Sequence, residues 1–287
     1  MIYAFLWAFF YSISNTIAKY VSVKFDLFKS LFFQNIILAI FGFMLIYFFD
    51  SFKIDYKANY IYFLLIWLSW FIWTWTYYLA MKHINNWIVL VIANLYVFWS
   101  YFLNNYLIWD IEKFSWVKII ISLLFFIIIT FFIFERNKEN ELKFNSKIIY
   151  ALVTAFCWVI YSSYRNYTVK AWIFSPFQWM FYSQLFVGII AFISFLIKSI
   201  IDKKIDVAIE LKQIISYIWV SIFMFIWSIC FFLWYKSIWW NYVNIIALIQ
   251  IPFLTLFSFI FLKDTLTKKQ IITILSAVLV LILFVTN

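Results

Sequence analysis

The sequence predicts an all-α membrane protein with ten transmembrane helices arranged as two inverted five-helix repeats. Three observations lead to this fold class. Of the 287 residues, 68% are hydrophobic and only 12% are charged, which is more apolar surface than a water-soluble domain of this size could bury. Ten apolar stretches are each about long enough to cross a bilayer, and none contains Asp or Glu. Matching residue patterns recur in the two halves of the chain.

The ten apolar stretches are expected to be helices. A membrane span needs roughly 20 apolar residues, and a strand or loop exposed to hydrocarbon could not satisfy its backbone polar groups. The first stretch has no basic leader and is too long for the apolar part of a signal peptide, which predicts a retained helix. The predicted spans are residues 2–22, 29–49, 58–80, 87–108, 115–134, 148–168, 178–197, 213–235, 242–262 and 271–286.

The longest polar stretch, residues 135–147, is predicted to link a first five-helix repeat at 1–134 to a second at 148–287. Gln34 falls opposite Gln184 when the halves are overlaid with a shift of one residue. An odd number of helices per repeat inverts the second half relative to the first, which is typical of transporters. The residues that recur with identical spacing are Trp7, Ser12, Asn15 and Lys19, opposite Trp158, Ser163, Asn166 and Lys170.

The net charge of +10 does not indicate nucleic-acid binding, because the basic residues are scattered among short loops. Anionic lipid headgroups are the simpler partner. Of the 22 Lys and Arg residues, fifteen fall on the side of the odd-numbered loops, which we call the basic face. The positive-inside rule therefore favours a cytoplasmic basic face with both termini outside.

Catalysis and metal binding are not supported by the sequence. It has no nucleophile with a nearby base, no His/Cys cluster with metal-ligand spacing and no phosphate-binding Gly loop, so neither a catalytic residue nor a cofactor is expected. Cys157 and Cys230 fall inside predicted spans and are expected to pack in the core. His83, the only histidine, is expected at a helix end. All twelve Asp and Glu residues lie in predicted loops, which argues against a proton relay through a buried acid.

Several motifs together resemble ten-helix permeases of the drug/metabolite transporter superfamily, EamA type. They are the Trp–Asn–Lys pattern of the first and sixth spans, the tract Tyr78-Leu-Ala-Met-Lys82, Pro252 within Gln250-Ile-Pro-Phe-Leu-Thr255, and the acidic turns Glu112-Lys-Phe-Ser115 and Leu262-Lys-Asp-Thr-Leu-Thr267. The resemblance covers essentially the whole chain and implies alternating-access transport of an amino acid or related compound. The chain departs from the family pattern at Ile111 and Lys263, where Gly usually precedes the acidic residue. For related transporters the resemblance also implies cytoplasmic termini, opposite to the charge count.

Polar side chains at membrane depth mark candidate substrate-binding positions, because burying them there is costly. Related positions in inverted repeats converge near the midplane, which favours the pairs of Asn and Gln; aromatic rings could line an amphipathic cavity. The structural alternatives are that Ser and Thr bond their own helix and that Asn and Gln join helices. The candidates are Trp7, Asn15, Gln34, Tyr78, Asn94, Trp158, Tyr161, Asn166, Gln184, Tyr235 and Gln250.

The predicted function is transport of a small organic metabolite, with neutral or zwitterionic cargo favoured and with no ion coupling required. One alternative is a carrier of phosphorylated or nucleotide-like metabolites, which would require Lys19, Arg165 or Lys170 to face the cavity. Another is a membrane scaffold or lipid-carrier subunit that does not transport. The expected setting is the cytoplasmic membrane of a bacterium, as a multi-pass monomer or homodimer whose partners are the bilayer and a small-molecule substrate.

The ratio of glycine to tryptophan is unusual for a membrane protein. Only Gly42 and Gly188 occur, against 17 tryptophans, although membrane helices commonly use small residues at their contacts. Trp87 and Trp172 occupy places where relatives carry small residues. One hypothesis is that the source organism reads UGA as Gly, so that some of the Trp residues are really Gly. The alternative is an AT-rich genome with aromatic-rich helix faces and interfacial belts.

Overall fold

The computed structural model describes residues 2–50, 60–84, 86–96, 99, 116–117, 120–121, 123–124, 127–128, 134–136, 142–144, 146–170, 175–203, 209–235, 250–263 and 268–286. In these ranges, bounds are described for nine helices and one pair of short strands. The helices are α1 (Ile2–Lys24), α2 (Leu27–Phe49), α3 (Tyr60–His83), α4 (Asn86–Ala93), α5 (Ile148–Lys170), α6 (Pro176–Ile201), α7 (Leu211–Tyr235), α8 (Gln250–Leu262) and α9 (Lys268–Thr286). The strands are β1 (Phe134–Arg136) and β2 (Leu142–Phe144).

The all-α class is confirmed for the described residues, and the chain has the features of a multi-pass membrane protein. Four helical stretches are long and apolar enough to cross a bilayer. They are Leu27–Phe49, Phe63–His83, Phe177–Ile201 and Leu211–Cys230. Shorter apolar helices run from Ile148 to Tyr164 and from Phe253 to Leu262.

Most helix bounds lie close to the predicted ones, and the differences are at the fourth, fifth and ninth spans. Helix α4 ends at Ala93, where Asn94 and Leu95 form a turn, and most of the remaining span to residue 108 lies outside the described residues. Residues 115–134 are described only in part, and the few described positions from 116 to 128 are helical. The beginning of the predicted span at 242–262 also lies outside the described residues.

The predicted linker contains a small antiparallel hairpin that the sequence did not indicate. Phe134 pairs with Phe144, Glu135 with Lys143, and Arg136 with Leu142. A two-stranded hairpin of this length has little stability of its own. The hairpin therefore adds a local connection between the halves of the chain and leaves the helical fold class unchanged.

The main helix contacts join the two halves. Helix α2 packs most extensively against α6, α1 against α7, and α3 against α5. Further contacts join α1 to α8, α4 to α5, α2 to α7, α3 to α6, and α4 to α8. The chain therefore has one intertwined core, to which helices of both halves contribute.

Polar contacts at both ends of α2 show that it runs antiparallel to α6. Asp26 caps the start of α2 by accepting a hydrogen bond from the Lys29 N–H, and it forms a 2.5 Å salt bridge with Lys198 near the end of α6. At the other end Asp50 caps α2 and accepts a hydrogen bond from the hydroxyl of Ser175. Ser175 itself caps the start of α6. Each end of one helix is thus tied to the opposite end of the other.

The two glycines both lie in the α2–α6 contact. A Cβ atom added at Gly42 would come within 3.0 Å of the Phe181 Cα atom, and one added at Gly188 would come within 2.9 Å of the Ile36 side chain. Helices approach this closely where no side chain stands between them. The glycines therefore allow α2 and α6 to pack closely against each other.

The distribution of side chains is that of a protein surrounded by lipid. Large apolar residues are exposed along the outer faces of α2, α6 and α9, whereas serines and threonines are buried inside the bundle. A water-soluble protein has the reverse arrangement. Exposed examples are Ile40, Phe43, Met44, Ile189, Ile193, Ile197, Leu275 and Leu279, and fully buried hydroxyl residues include Ser12, Thr154, Ser162, Ser163, Ser183 and Ser221.

Candidate functional site

Gln34 is the centre of a polar contact that joins three helices. Its amide oxygen accepts a hydrogen bond from the Tyr78 hydroxyl of α3, and its backbone carbonyl accepts one from the Ser221 hydroxyl of α7 at 3.1 Å. Gln34 and Tyr78 are among the predicted site residues, and the structure brings them into direct contact. Ser221 was missed, because a serine in a membrane helix usually bonds its own backbone.

A second polar contact joins α1, α4 and α8. The Gln250 side-chain amide donates a hydrogen bond to the Asn94 side-chain oxygen at 3.3 Å. Asn94 also donates to the Leu90 carbonyl at 2.8 Å, and the Ser12 hydroxyl lies 3.1 Å from the Gln250 carbonyl oxygen. Asn94 and Gln250, both predicted site residues, are therefore hydrogen-bonded to each other and connect two helices.

The predicted residues of α1 lie in a mixed aromatic and polar group. Trp7 stacks on Tyr11 with ring centroids 5.5 Å apart, and both rings meet the edge of Trp227 from α7. The Tyr11 hydroxyl interacts with the side chains of Asn15 and Tyr77. Trp7 and Asn15 are both buried, so these two candidates lie inside the bundle, near the α1–α3–α7 contact.

Stacked aromatic rings fill the contact between α3 and α5. Trp70 lies 4.2 Å from Trp73 and 4.1 Å from Tyr161, measured between ring centroids. Trp158 lies 4.4 Å from Trp73, and the Trp179 indole N–H donates to the Tyr161 hydroxyl at 2.8 Å. The candidates Trp158 and Tyr161, neighbours on α5, thus contact three tryptophans that the analysis of the sequence did not select.

Some buried polar atoms have no hydrogen-bond partner among the described residues. They include the Gln34 amide nitrogen, the Gln184 and Gln250 amide oxygens, the Ser163 hydroxyl, and the Trp70 and Trp158 indole nitrogens. Buried polar groups without a hydrogen-bond partner are uncommon in native proteins, and water or a bound molecule can supply the missing partner. Four of the residues just named (Gln34, Gln184, Gln250 and Trp158) are predicted site residues, so these positions retain hydrogen-bonding capacity that a polar molecule could use.

For two predicted site residues, Asn166 and Tyr235, the structure describes the helix but not the side chain. Asn166 lies in α5 and Tyr235 is the last residue of α7, but their side chains lie outside the described residues. The same is true of Arg165 and Lys170, two of the three basic residues that a phosphate carrier would need. The third, Lys19, donates a hydrogen bond to the Ile84 carbonyl at 3.5 Å, just past the end of α3.

Most other described hydroxyls bond a backbone carbonyl of their own helix, which is the structural alternative to a role in substrate binding. Ser12, Thr74 and Thr154 lie within hydrogen-bond distance of carbonyls four residues earlier in their own helices. Cys157 and Cys230 are buried free thiols. Within the part of the chain that the structure describes, no group of three His, Cys, Asp or Glu residues could hold a metal ion.

Comparison with known proteins identifies a similar fold but no family. No protein-family model and no curated protein matches the chain. A solved structure described only as "Crystal structure of protein" is similar, with a TM-score of 0.62 over 98% of this chain and 98% of that chain. It is one of 23 solved chains that match, so the arrangement recurs among solved structures. At 11% sequence identity, the likeness shows that this chain shares an overall fold with that protein.

Proposed function

We propose that the chain is an EamA-type permease of the drug/metabolite transporter superfamily, with ten transmembrane helices in two inverted repeats. It carries a small organic metabolite by alternating access, and its cargo is an amino acid or a related neutral or zwitterionic compound. It acts as a monomer or homodimer in the cytoplasmic membrane of a bacterium and is not an enzyme.

The observation that carries the proposal is the way helix contacts exchange between the halves. Inverted repeats related by a two-fold axis would equate α1 with α5, α2 with α6, α3 with α7 and α4 with α8. Under that exchange the α1–α7 contact becomes α5–α3, α1–α8 becomes α5–α4, and α2–α7 becomes α6–α3. The contacts α2–α6 and α4–α8 become themselves. Inverted repeats that meet in this way are typical of secondary transporters.

The buried polar residues support the same function. Gln34, Asn94 and Gln250 contribute amides inside the bundle, and several nearby polar atoms have no partner among the described residues. Polar residues at this depth in a membrane protein face the bundle interior and mark substrate paths. Amides and hydroxyls recognise neutral or zwitterionic groups without a fixed charge, which suits the proposed cargo.

The driving force follows from the placement of acidic residues. All twelve lie outside the predicted spans, and the described Asp26 and Asp50 are caps at the ends of α2. A carboxylate inside the membrane is the usual group for proton coupling in transporters. We therefore propose a facilitator or exporter driven by the gradient of its own substrate.

The alternative cargo, a phosphorylated metabolite, is less well supported. Its recognition would need a basic side chain in the substrate path. Lys19 is the described candidate, and its ammonium group donates to the Ile84 carbonyl close to the basic face. A neutral or zwitterionic cargo does not need Lys19 to leave that position.

Counterflow in proteoliposomes tests the proposal. Vesicles are loaded with one unlabelled amino acid or small metabolite and assayed for uptake of the same labelled compound with no ion gradient. We expect uptake that depends on the internal substrate and falls in Asn94→Leu, which removes the polar side chain facing Gln250. Ser216 is partly exposed on α7 and its hydroxyl donates to the Lys212 carbonyl of the same helix, so the control Ser216→Ala should transport normally. Folded protein that is silent across the panel would favour the scaffold or lipid-carrier alternative.

A further inference from the structure

Two glutamines at matched positions of the halves differ in the hydrogen bonds that their amide oxygens accept. Gln34 in α2 and Gln184 in α6 are both buried, with 1% and 7% of their surface exposed. Gln34 accepts hydrogen bonds from Tyr78 and Ser221, whereas the amide oxygen of Gln184 has no partner among the described residues. Since α2 and α6 run antiparallel, the two environments lie toward opposite ends of the bundle.

The bonded glutamine lies in the half of the membrane nearer the basic face. Gln34 is seven residues from the start of α2 at Leu27, and Tyr78 is five residues from the end of α3 at His83. Ser221 is ten residues from the start of α7. At 1.5 Å per residue, these positions lie roughly 8 to 15 Å inside the helix ends. Together they join α2, α3 and α7 between the basic face and the centre of the bundle.

Other contacts tie the same helix ends together. The Ser30 hydroxyl of α2 lies 3.3 Å from the Tyr217 hydroxyl of α7, and Lys212 of α7 lies 5.9 Å from the Tyr20 ring centroid of α1. The Asp26 salt bridge to Lys198 joins the start of α2 to the end of α6. Polar contacts at the basic face thus join α2 to α7 and α1 to α7, whereas α2 and α6 are joined at both faces, since Asp50 accepts a hydrogen bond from Ser175 at the other one.

Among the described residues, those at the matching positions of the opposite half do not bond the amide oxygen of Gln184. The shift of 150 residues that relates Gln34 to Gln184 also relates Tyr78 to Ser228 and Ser221 to Phe71. The Ser228 hydroxyl donates to the Met224 carbonyl of its own helix at 2.8 Å, and Phe71 has no hydroxyl. With this shift, neither matching position directs a hydroxyl to another helix.

We propose that Gln34, Tyr78 and Ser221 form a latch that holds the bundle closed toward the basic face in this conformer. The latch rests on the proposed transport function, since a carrier must open each face in turn. Separating α3 and α7 from α2 at the basic face requires both hydrogen bonds to Gln34 to break. The latch therefore biases the equilibrium toward the conformer closed at the basic face, and removing its donors shifts the population toward the open one.

Distances between spin labels on the purified protein in lipid nanodiscs test the latch without a transport assay. The buried native thiols are removed as Cys157→Ala and Cys230→Ala. One label pair at Lys82→Cys and Leu211→Cys, both exposed, reports the separation of α3 and α7 at the basic face. A second pair at Phe49→Cys and Leu64→Cys, also exposed, reports the opposite face.

The latch variants are Tyr78→Phe and Ser221→Ala, alone and combined, and each keeps most of the side-chain volume. We expect the double variant to add a longer-distance population to the basic-face pair and to leave the opposite-face pair unlengthened. The matched control Ser228→Ala, whose hydroxyl bonds within its own helix, should reproduce the parent distribution.

An unchanged basic-face distribution in the double variant would overturn the latch. Equal lengthening at both faces would also overturn it, because it would show general loosening of the bundle. Lengthening confined to the basic face, in a protein that shows no counterflow, would support the latch as a conformational device and count against the transport proposal. The two proposals therefore fail separately.

Discussion

The α2–α6 and α3–α5 contacts join the same two halves of the chain and are filled in opposite ways. Between α2 and α6, Gly42 leaves so little room that an added Cβ would lie 3.0 Å from the Phe181 backbone. Between α3 and α5, stacked rings occupy the space, with Trp70 4.1 Å from Tyr161 between ring centroids. The α2–α6 contact depends on the absence of side chains at two glycines, and the α3–α5 contact depends on large aromatic rings. A larger side chain at a glycine should therefore disrupt the first contact, and loss of a ring should disrupt the second.

The comparison also shows why helix association in lipid needs such specific contacts. Lipid tails are as apolar as the helices, so burial from water contributes little, and close packing and hydrogen bonds must hold the helices together. The glycine contact achieves this through short distances between backbones. The aromatic contact achieves it through ring stacking, which is worth about 0.5 to 1.5 kcal/mol per pair beyond area burial.

The identity of the α3 tryptophans has the largest effect on this comparison. If the source organism reads UGA as Gly, and UGA encodes Trp67, Trp70 and Trp73, these three positions are glycine and the aromatic stack between α3 and α5 is absent. Peptide masses of protein isolated from the native source decide the point. The aromatic contact predicts a Trp mass at all three positions. A Gly mass at Trp70 would remove the stack and the contrast with it.

Loss of the Trp70 ring should have the largest effect on stability in protein made with Trp at that position. Trp70 is 2% exposed and stacks on Trp73 and Tyr161. Trp70→Ala should lower the free energy of unfolding by about 3 to 5 kcal/mol, the usual range for a buried large aromatic. The measurement is the Tm of purified protein in lipid. Trp219, half exposed on α7, supplies the control Trp219→Ala, and an equal loss in both variants would contradict a special role for the α3–α5 stack.

Addition of a single methyl group should distinguish the two glycines. In Gly42→Ala the new Cβ meets the Phe181 backbone, which cannot rotate away, so overpacking should cost about 1 to 3 kcal/mol. In Gly188→Ala it meets the end of the Ile36 side chain, which can move, and alanine recovers about 0.5 to 1 kcal/mol of helix propensity. A lower Tm for Gly42→Ala than for Gly188→Ala is expected. Equal Tm values would show that the α2–α6 distance is not set by Gly42.

The smallest effect should come from the salt bridge at the end of α2. Burial alone would raise the pKa of Asp26, but the Lys198 ammonium and the Lys29 and Phe28 backbone N–H groups outweigh it and hold that pKa below its ordinary value. The stabilisation is therefore present above the ordinary pKa of Asp, about 3.9, and is lost as the pH falls through the lowered one.

Asp26→Asn tests this contribution, because asparagine preserves the helix cap and removes the charge. Side-chain exposures of 26% for Asp26 and 48% for Lys198 limit the effect at neutral pH to about 1 kcal/mol or less. The difference in Tm between the original protein and Asp26→Asn should shrink as the pH falls below about 4. A difference that stays constant with pH would assign it to the cap and not to the charge.

Length and apolarity alone were sufficient to predict the helices that cross between the faces. The starts and ends of α2, α3, α6 and α7 fall within a few residues of the predicted spans, because each is a long apolar run ended by polar residues. The partners of these helices could not be read in the same way. Nothing local to Gly42 or Gly188 indicates that both lie in one contact, since that depends on the register of two helices far apart in the chain.

For the candidate site as well, the sequence indicated individual residues but not their partners. Gln34, Tyr78, Asn94 and Gln250 were selected one by one from their polarity at membrane depth, and they prove to be hydrogen-bonded as Gln34–Tyr78 and Asn94–Gln250. The pairing arises from tertiary packing and has no sequence signal. Ser221 was missed because its partner is a backbone carbonyl of another helix, which composition and periodicity do not show.

The most direct test of the central claim, that the bundle opens to both sides of the membrane in turn, is labelling of Asn15→Cys in a protein that lacks the two native thiols. Asn15 is buried inside the bundle, with 6% of its surface exposed. The account predicts that a membrane-impermeant thiol reagent reaches this position when applied from either side in separate experiments. Folded protein that is not labelled from either side would contradict it.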